Sequence, residues 1–158
     1  MAQEQTYLAE AVTLARRNIE KGGRPFGAVV VKDGEIVGRG VNEMLSSGDP
    51  TSHAELNALR SAAQNLHSPR LEGASVYASG QPCPMCLAAM RMAGIGHIAY
   101  AYSNQDGAAF GMSTAEIATE LSQPLAQQNW ATIRYVPQPD RAHPAPYAIW
   151  ADRTAARG

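Results

Sequence analysis

The chain has 158 residues, 45% of them apolar and 17% charged, and a formal net charge of −1. That composition excludes a disordered polyelectrolyte and suffices for one packed core. The near-neutral balance argues against a broad basic surface for phosphate backbones, and no run of about eighteen apolar residues offers a membrane span.

Residues 3 to 20 place Leu8, Val12, Ala15 and Ile19 on one helical stripe, with Arg16 and Arg17 off it on a solvated face. An amphipathic helix ended by Gly22-Gly23 is expected. Its opening, MAQEQTYLAEAVTLARRNIEK, lacks the charged leader and apolar core of a secretion signal. With two cysteines and no expected structural disulfide, a cytoplasmic protein is predicted. Pro25 to Val41 carries two β-rich runs around Asp33-Gly34, the signal of a tight hairpin, with Asn42 at the far end of the second strand. Asp49-Pro50-Thr51-Ser52 opens a second helix that carries Leu56, Leu59 and Ala63 and runs to Leu66. A strand over 74–79 leads into Gln81-Pro82-Cys83-Pro84-Met85-Cys86 and an apolar helix through Ala93, closed by Gly94. A strand over 96–102, a helix over 114–122 and a strand over 131–136 follow. The tail, 137–158, is proline-rich and ends in a helix with Tyr147, Ile149 and Trp150.

A hairpin followed by strand–helix alternation predicts an α/β fold, a three-layer α/β/α sandwich around a mixed five-stranded sheet. One domain over 1–158 is expected, with 137–158 as a C-terminal tail.

The chemistry sits at two helix starts, His53-Ala54-Glu55 and Pro82-Cys83-Pro84-Met85-Cys86. Cysteines at i and i+3 project to one side of a helical turn. One imidazole from another element would complete a nitrogen and sulfur set suited to Zn²⁺, leaving the fourth position for water. The positive end of a helix favours thiolate over thiol, and Pro84 suits a first turn whose N–H has no intrahelical partner. Two thiolates neutralise the ion, so a nearby base gains importance; Glu55, pointing away from His53, can reach the water's side. Plainer alternatives stand beside this one. Cys-x-x-Cys is also a redox pattern, although no thioredoxin-like aromatic precedes it, and a histidine at a helix start is commonly a surface residue. Ser52-x-x-Glu55 fits a capping box that folds the glutamate back, whereas Thr51 as cap would free it.

Taken together, Pro25-Phe26-Gly27-Ala28-Val29, Asp33-Gly34, Asn42, Asp49 to Glu55 and Pro82 to Leu87 resemble the zinc-dependent cytidine-deaminase-like superfamily of nucleobase and nucleoside deaminases. The nearest branch is the small bacterial guanine deaminases. The resemblance implies one Zn²⁺ per chain on His53, Cys83 and Cys86, with Glu55 as the catalytic proton shuttle. It implies substrate contacts from Asn42, Phe26 and the backbone of Ala54, with Gln81 near the ring. It implies hydrolytic deamination of a small aminated heterocycle and a homodimer, with tRNA adenosine as an alternative substrate and a zinc-stabilised binding module as the non-enzyme alternative; the charge balance speaks against a nucleic-acid partner and the lack of a long apolar run against a membrane. Tyr147 or Trp150 would serve as an aromatic lid, or else as core packing. The sequence departs from the pattern at Gln81, where these enzymes commonly carry glutamate. It departs again at Phe110-Gly111-Met112-Ser113-Thr114, which holds no carboxylate; Asp106 and Glu116 are the nearest.

Other conspicuous residues take plain readings: His67 and His97, at element ends, as surface or structural, and Met85, Met90 and Met92 as core fill. His143, in the proline-rich loop, has no partner in the pattern.

Overall fold

Asp33 and Gly34 both adopt positive φ, 52° and 79°, as a two-residue hairpin turn of type I′ requires. They join β1 (Gly27–Lys32) to β2 (Glu35–Val41) as expected. The structure, a computed structural model, describes residues 2–138 and 145–158. β3 (Ala74–Gly80) pairs antiparallel with the other edge of β1, and β4 (His97–Tyr102) runs parallel to β3, giving the order β2-β1-β3-β4. The mixed sheet is as predicted, but it has four strands among the described residues. Residues 132–138 carry no strand, and Tyr135 is 90% exposed. A run of β-formers becomes a strand only where a neighbour supplies its ladder and a face to bury.

Layering follows from alternation along β1. Ala28 and Val30 pack with α3 (Ala54–Leu66) and α4 (Pro84–Ala93), while Val29 and Val31 join Tyr77 against Tyr7, Leu8 and Leu14 of α1 (Ala2–Glu20). On α1 the buried face is Ala11, Ala15 and Asn18, whereas Ile19 is 53% exposed. The expected stripe is rotated because small residues let the helix lie close to β1: a Cβ added to Gly27 would meet the Ala11 carbonyl.

The same device seats α3. Gly38 and Gly40 share one face of β2, where an added Cβ would meet the carbonyl oxygens of Ala58 and Ala54. Those alanines and Ala62 are fully buried. Gly40→Val is therefore expected to lift the start of α3 off the sheet. The cost is about 3 kcal/mol, the upper end of ordinary overpacking because backbone is struck, and reads as a Tm drop of several degrees by calorimetry. Arg39→Ala, on the exposed side, is expected to shift Tm much less.

Met90 is fully buried in the core but Met92 is 88% exposed, since residues two apart leave a helix in different directions. The core-fill reading is thus corrected for Met92. His67 ends α3 in the left-handed region, and His97 Nε2 meets Glu4 Oε1 at 2.9 Å, so both are structural. Arg16 and Arg17 are exposed. Short helices α2 (Met44–Ser47), α5 (Asn104–Ala108) and α6 (Ala115–Leu121) complete the first compact unit, which ends at Gln123. The second, Pro124–Gly158, holds a 3₁₀ turn (Leu125–Gln127) and α7 (Pro146–Ala155). His143 lies outside the described residues. No helix among the described residues is long and apolar enough to cross a membrane.

Candidate active site

Two helix N-termini meet at one end of the sheet. His53 is the N-cap of α3 in extended conformation, and its side chain makes no capping bond. Ser52 Oγ accepts from Asn57 Nδ2 (3.1 Å) and Thr51 Oγ1 donates to Asp49 Oδ1 (2.7 Å), so neither forms the cap that the sequence allowed. Glu55, in the first turn, is free of a capping box and buried. Cys83 is the N-cap of α4, Pro84 its first residue, and Cys86, fully buried, lies in its first turn.

His53 Nδ1 lies 3.5 Å from the Sγ atoms of both Cys83 and Cys86, and the three donor atoms fall within 4.8 Å of one another. A tetrahedral zinc, with bonds of about 2.0–2.1 Å to nitrogen and about 2.3 Å to sulfur, holds the nitrogen about 3.5–3.6 Å from each sulfur. The donor set therefore fits one zinc in both chemistry and spacing. Both cysteines are free thiols facing the same imidazole, which favours the metal reading over a redox pair.

The three groups set one another's protonation. A hydrogen bond from Cys86 and then His53 hold the Cys83 thiol down to about 4. The same pairing, with burial, pushes Cys86 far above the usual thiol range. His53 is raised, first by its bond to Cys83, while the Arg24 charge opposes that shift. Protons shared in this way are those a metal displaces on binding. Burial raises the Glu55 carboxyl.

Beside the cluster lies a recess of about 150 Å³ that brings together Phe26, Asn42, Ala54, Glu55 and Gln81 with His53 and Cys83. A larger cleft, about 270 Å³, also borders Phe26 and Gln81 but contains none of His53, Cys83 and Cys86. Tyr147 and Trp150 stand on α7 of the second unit, 87% and 68% exposed, which corrects the core-packing alternative for both.

Arg24 and Asn18 were not foreseen, whereas the stretch at 111–114 was marked in the sequence. Arg24 lines the recess; its guanidinium lies 6.0 Å from the Phe26 ring and 3.7 Å from the sulfurs of Met44 and Met112. Residues 111–114 form the far wall, offering the hydroxyls of Ser113 and Thr114. Asn18, buried on α1, donates through Nδ2 to the carbonyls of Arg24 and Asn42 at 2.8 Å each and so holds both recess segments. Asn18 lies outside the expected stripe and becomes buried only because the observed face is rotated, and nothing local marked Arg24. Asp106 is engaged in a capping box with Ser103 at the start of α5.

Amide orientations in the recess are set by backbone partners. Asn42 Oδ1 accepts from Met44 N–H (3.1 Å). Gln81 Oε1 accepts from Asn104 N–H (2.9 Å), and Asn104 Oδ1 accepts from Thr114 N–H (3.3 Å), which ties the cysteine-motif loop to the far wall.

Residues 1–102 match the family of the cytidine and deoxycytidylate deaminase zinc-binding region. Guanine deaminase of Bacillus subtilis (strain 168) is 38% identical over 147 residues, covering 92% of each chain. The X-ray structure of guanine deaminase from Bacillus subtilis matches with a TM-score of 0.81 and 38% identity, over 94% of this chain and 93% of that one. A tRNA-specific adenosine deaminase of Streptococcus pyogenes serotype M18 is 39% identical over 104 residues, 65% of each chain.

Proposed function

Because the chain belongs to the cytidine and deoxycytidylate deaminase zinc-binding family, we propose that it is a hydrolytic deaminase of a free nucleobase, converting guanine to xanthine and ammonia. The observation that carries this reading is the convergence of His53, Cys83 and Cys86 beside a recess that holds a buried carboxylate, Glu55. Guanine is favoured over other heterocycles by the Bacillus subtilis guanine deaminase, which aligns over nearly the whole chain.

In this reading His53, Cys83 and Cys86 hold one zinc, which when bound supplies a Lewis acid that brings the acidity of water near neutrality. Glu55 takes one proton from the attacking water and passes it to a ring nitrogen, then carries the remaining hydroxyl proton to the amino nitrogen, which leaves as ammonia while the ring carbon becomes a carbonyl, so that it acts as base and acid in turn. A carboxyl raised by burial suits both roles, because its affinity for the proton lies nearer the working pH. Phe26 packs on the ring face. Asn42, its oxygen committed to Met44, offers Nδ2–H to a ring acceptor. Ala54, first in α3, offers an N–H of the kind that has no intrahelical partner.

The test is a screen of the zinc-loaded protein for ammonia release from guanine, cytosine, adenosine, a pterin, a triazine and tRNA. Ammonia from guanine alone is expected. Release from another substrate overturns guanine, and release from none overturns the reaction. The tRNA reading is the weaker one, since a net charge of −1 suits a small substrate better than an RNA backbone.

Three further parts belong to the same proposal. A cytoplasmic location is supported by the two free thiols, which reducing compartments preserve. A homodimer is supported by exposed Leu87 and Met92 on α4. Use of the whole chain as one domain, with 137–158 closing the site or meeting a neighbouring subunit, is supported by the exposed aromatic pair of α7. Mass in solution and ammonia release, with and without residues 137–158, test the last two.

A further inference from the structure

The two residues assigned to the ring, Phe26 and Asn42, belong to different segments, and one side-chain amide joins them. Asn18, buried on α1, donates through Nδ2 to the Arg24 carbonyl and to the Asn42 carbonyl, at 2.8 Å each. Of the two ends of an amide only the NH₂ can serve two carbonyls, so the partners fix its orientation. The Arg24 carbonyl also accepts from Phe26 N–H (2.8 Å), and the Phe26 carbonyl accepts from Asn42 N–H (3.2 Å). Arg24, Phe26, Asn42 and the Asn18 amide therefore form one closed circuit of hydrogen bonds. Phe26 and Asn42 line the recess, whereas Asn18 stands behind them. Gly23 is the seat of the amide: an added Cβ there would meet Asn18 Nδ2, Cγ and Oδ1.

We propose that Asn18 is a positioning residue for the substrate: without touching the ring, its amide sets the spacing between Phe26 and Asn42 at which one ring meets both. The Asn42 bond is buried, and a buried carbonyl that loses its donor has no water to replace it, so the circuit resists loosening. His53, Glu55, Cys83 and Cys86 belong to the starts of α3 and α4 and take no part in it. Contacts made alike in the ground state and the transition state set KM and leave kcat, so misplacing Phe26 and Asn42 together acts on KM. This role rests on the recess being the place that receives the heterocycle.

Steady-state ammonia release from guanine and amide hydrogen exchange by NMR, both on the zinc-loaded protein, test it. Asn18→Ala is expected to raise KM about ten-fold, the worth of one good hydrogen bond to the ring, with kcat within about two-fold and zinc retained. The amides of Phe26 and Asn42 are expected to gain more in exchange rate than those of Val30 and Val76 in the core. Gly23→Ala, which crowds the same amide, is expected to raise KM in the same way. The double variant is expected to show no further rise, because the added methyl then has no amide to displace. Asn65→Ala removes a like bond outside the recess, from Asn65 Nδ2 to the Val37 carbonyl (2.8 Å), and is expected to leave KM unchanged. An unchanged KM in folded, zinc-loaded Asn18→Ala overturns the proposal. So does a loss confined to kcat, an additive double variant, or an equal rise in Asn65→Ala. If Asn18→Ala does not fold, Gly23→Ala decides it by the same readouts. A protein that releases no ammonia from guanine loses that reaction, whereas equal acceleration at all four amides overturns the positioning whatever the reaction.

Discussion

Glu55→Gln is expected to retain one zinc per chain while losing about three orders of magnitude in turnover, within the range general acid–base catalysis contributes. The substitution keeps the volume and the buried position of the side chain but removes its capacity to accept and return a proton. Nothing in the zinc-donor set changes, because His53, Cys83 and Cys86 supply all three donor atoms. Metal analysis with steady-state ammonia release reads the two quantities independently. Full activity in the variant overturns the role of Glu55, and loss of zinc with activity shows it acting through the metal site. The release of Glu55 from the capping box gives this prediction its footing: with His53 as the N-cap of α3, the glutamate is not folded back to cap the helix.

Cys86→Ser is expected to abolish stable zinc binding, and activity with it. Two donor atoms then remain where zinc sites use three or more from the protein, and the loss should exceed the ~10–100-fold that outer-shell changes cost. Cys86 is also fully buried in the core, so a hydroxyl there carries a desolvation cost of about 1–3 kcal/mol. Zinc per folded chain after dialysis against a weak chelator separates the two effects. Met92→Ala, on the same helix but exposed, is the matched control for the donor set and should keep zinc. A Cys86→Ser protein that holds one zinc through dialysis contradicts the assigned donor set.

Local signals carried as far as local physics acts. The Asp33-Gly34 turn, the glycine end of α1 and the proline at the start of α4 depend on φ, ψ and backbone groups within a few residues, and each was readable. The i, i+3 cysteines were readable for the same reason, since one helical turn brings them to one side. Ala131 to Val136 shows the limit: its composition satisfies strand propensity, but a strand needs a partner that composition does not name. On α1 the stripe misplaced Ile19 and passed over Asn18, because the close approach of Gly27 to Ala11 selects the buried face.

The grouping of His53, Cys83 and Cys86 as a set that could hold a metal, and the family, were thus present in the sequence alone, carried by residue types and spacings. The hydrogen-bonding sense of the recess was not. Whether Gln81 presents its oxygen or its nitrogen depends on Asn104, 23 residues away, and the far wall depends in turn on Asn104 meeting Thr114. Arg24, which lines the recess, has its carbonyl held by Asn18 on another element. Spacing encodes what one element does by itself; the atoms left over for a ligand are what remains after distant elements have taken their partners, and only the tertiary structure decides that.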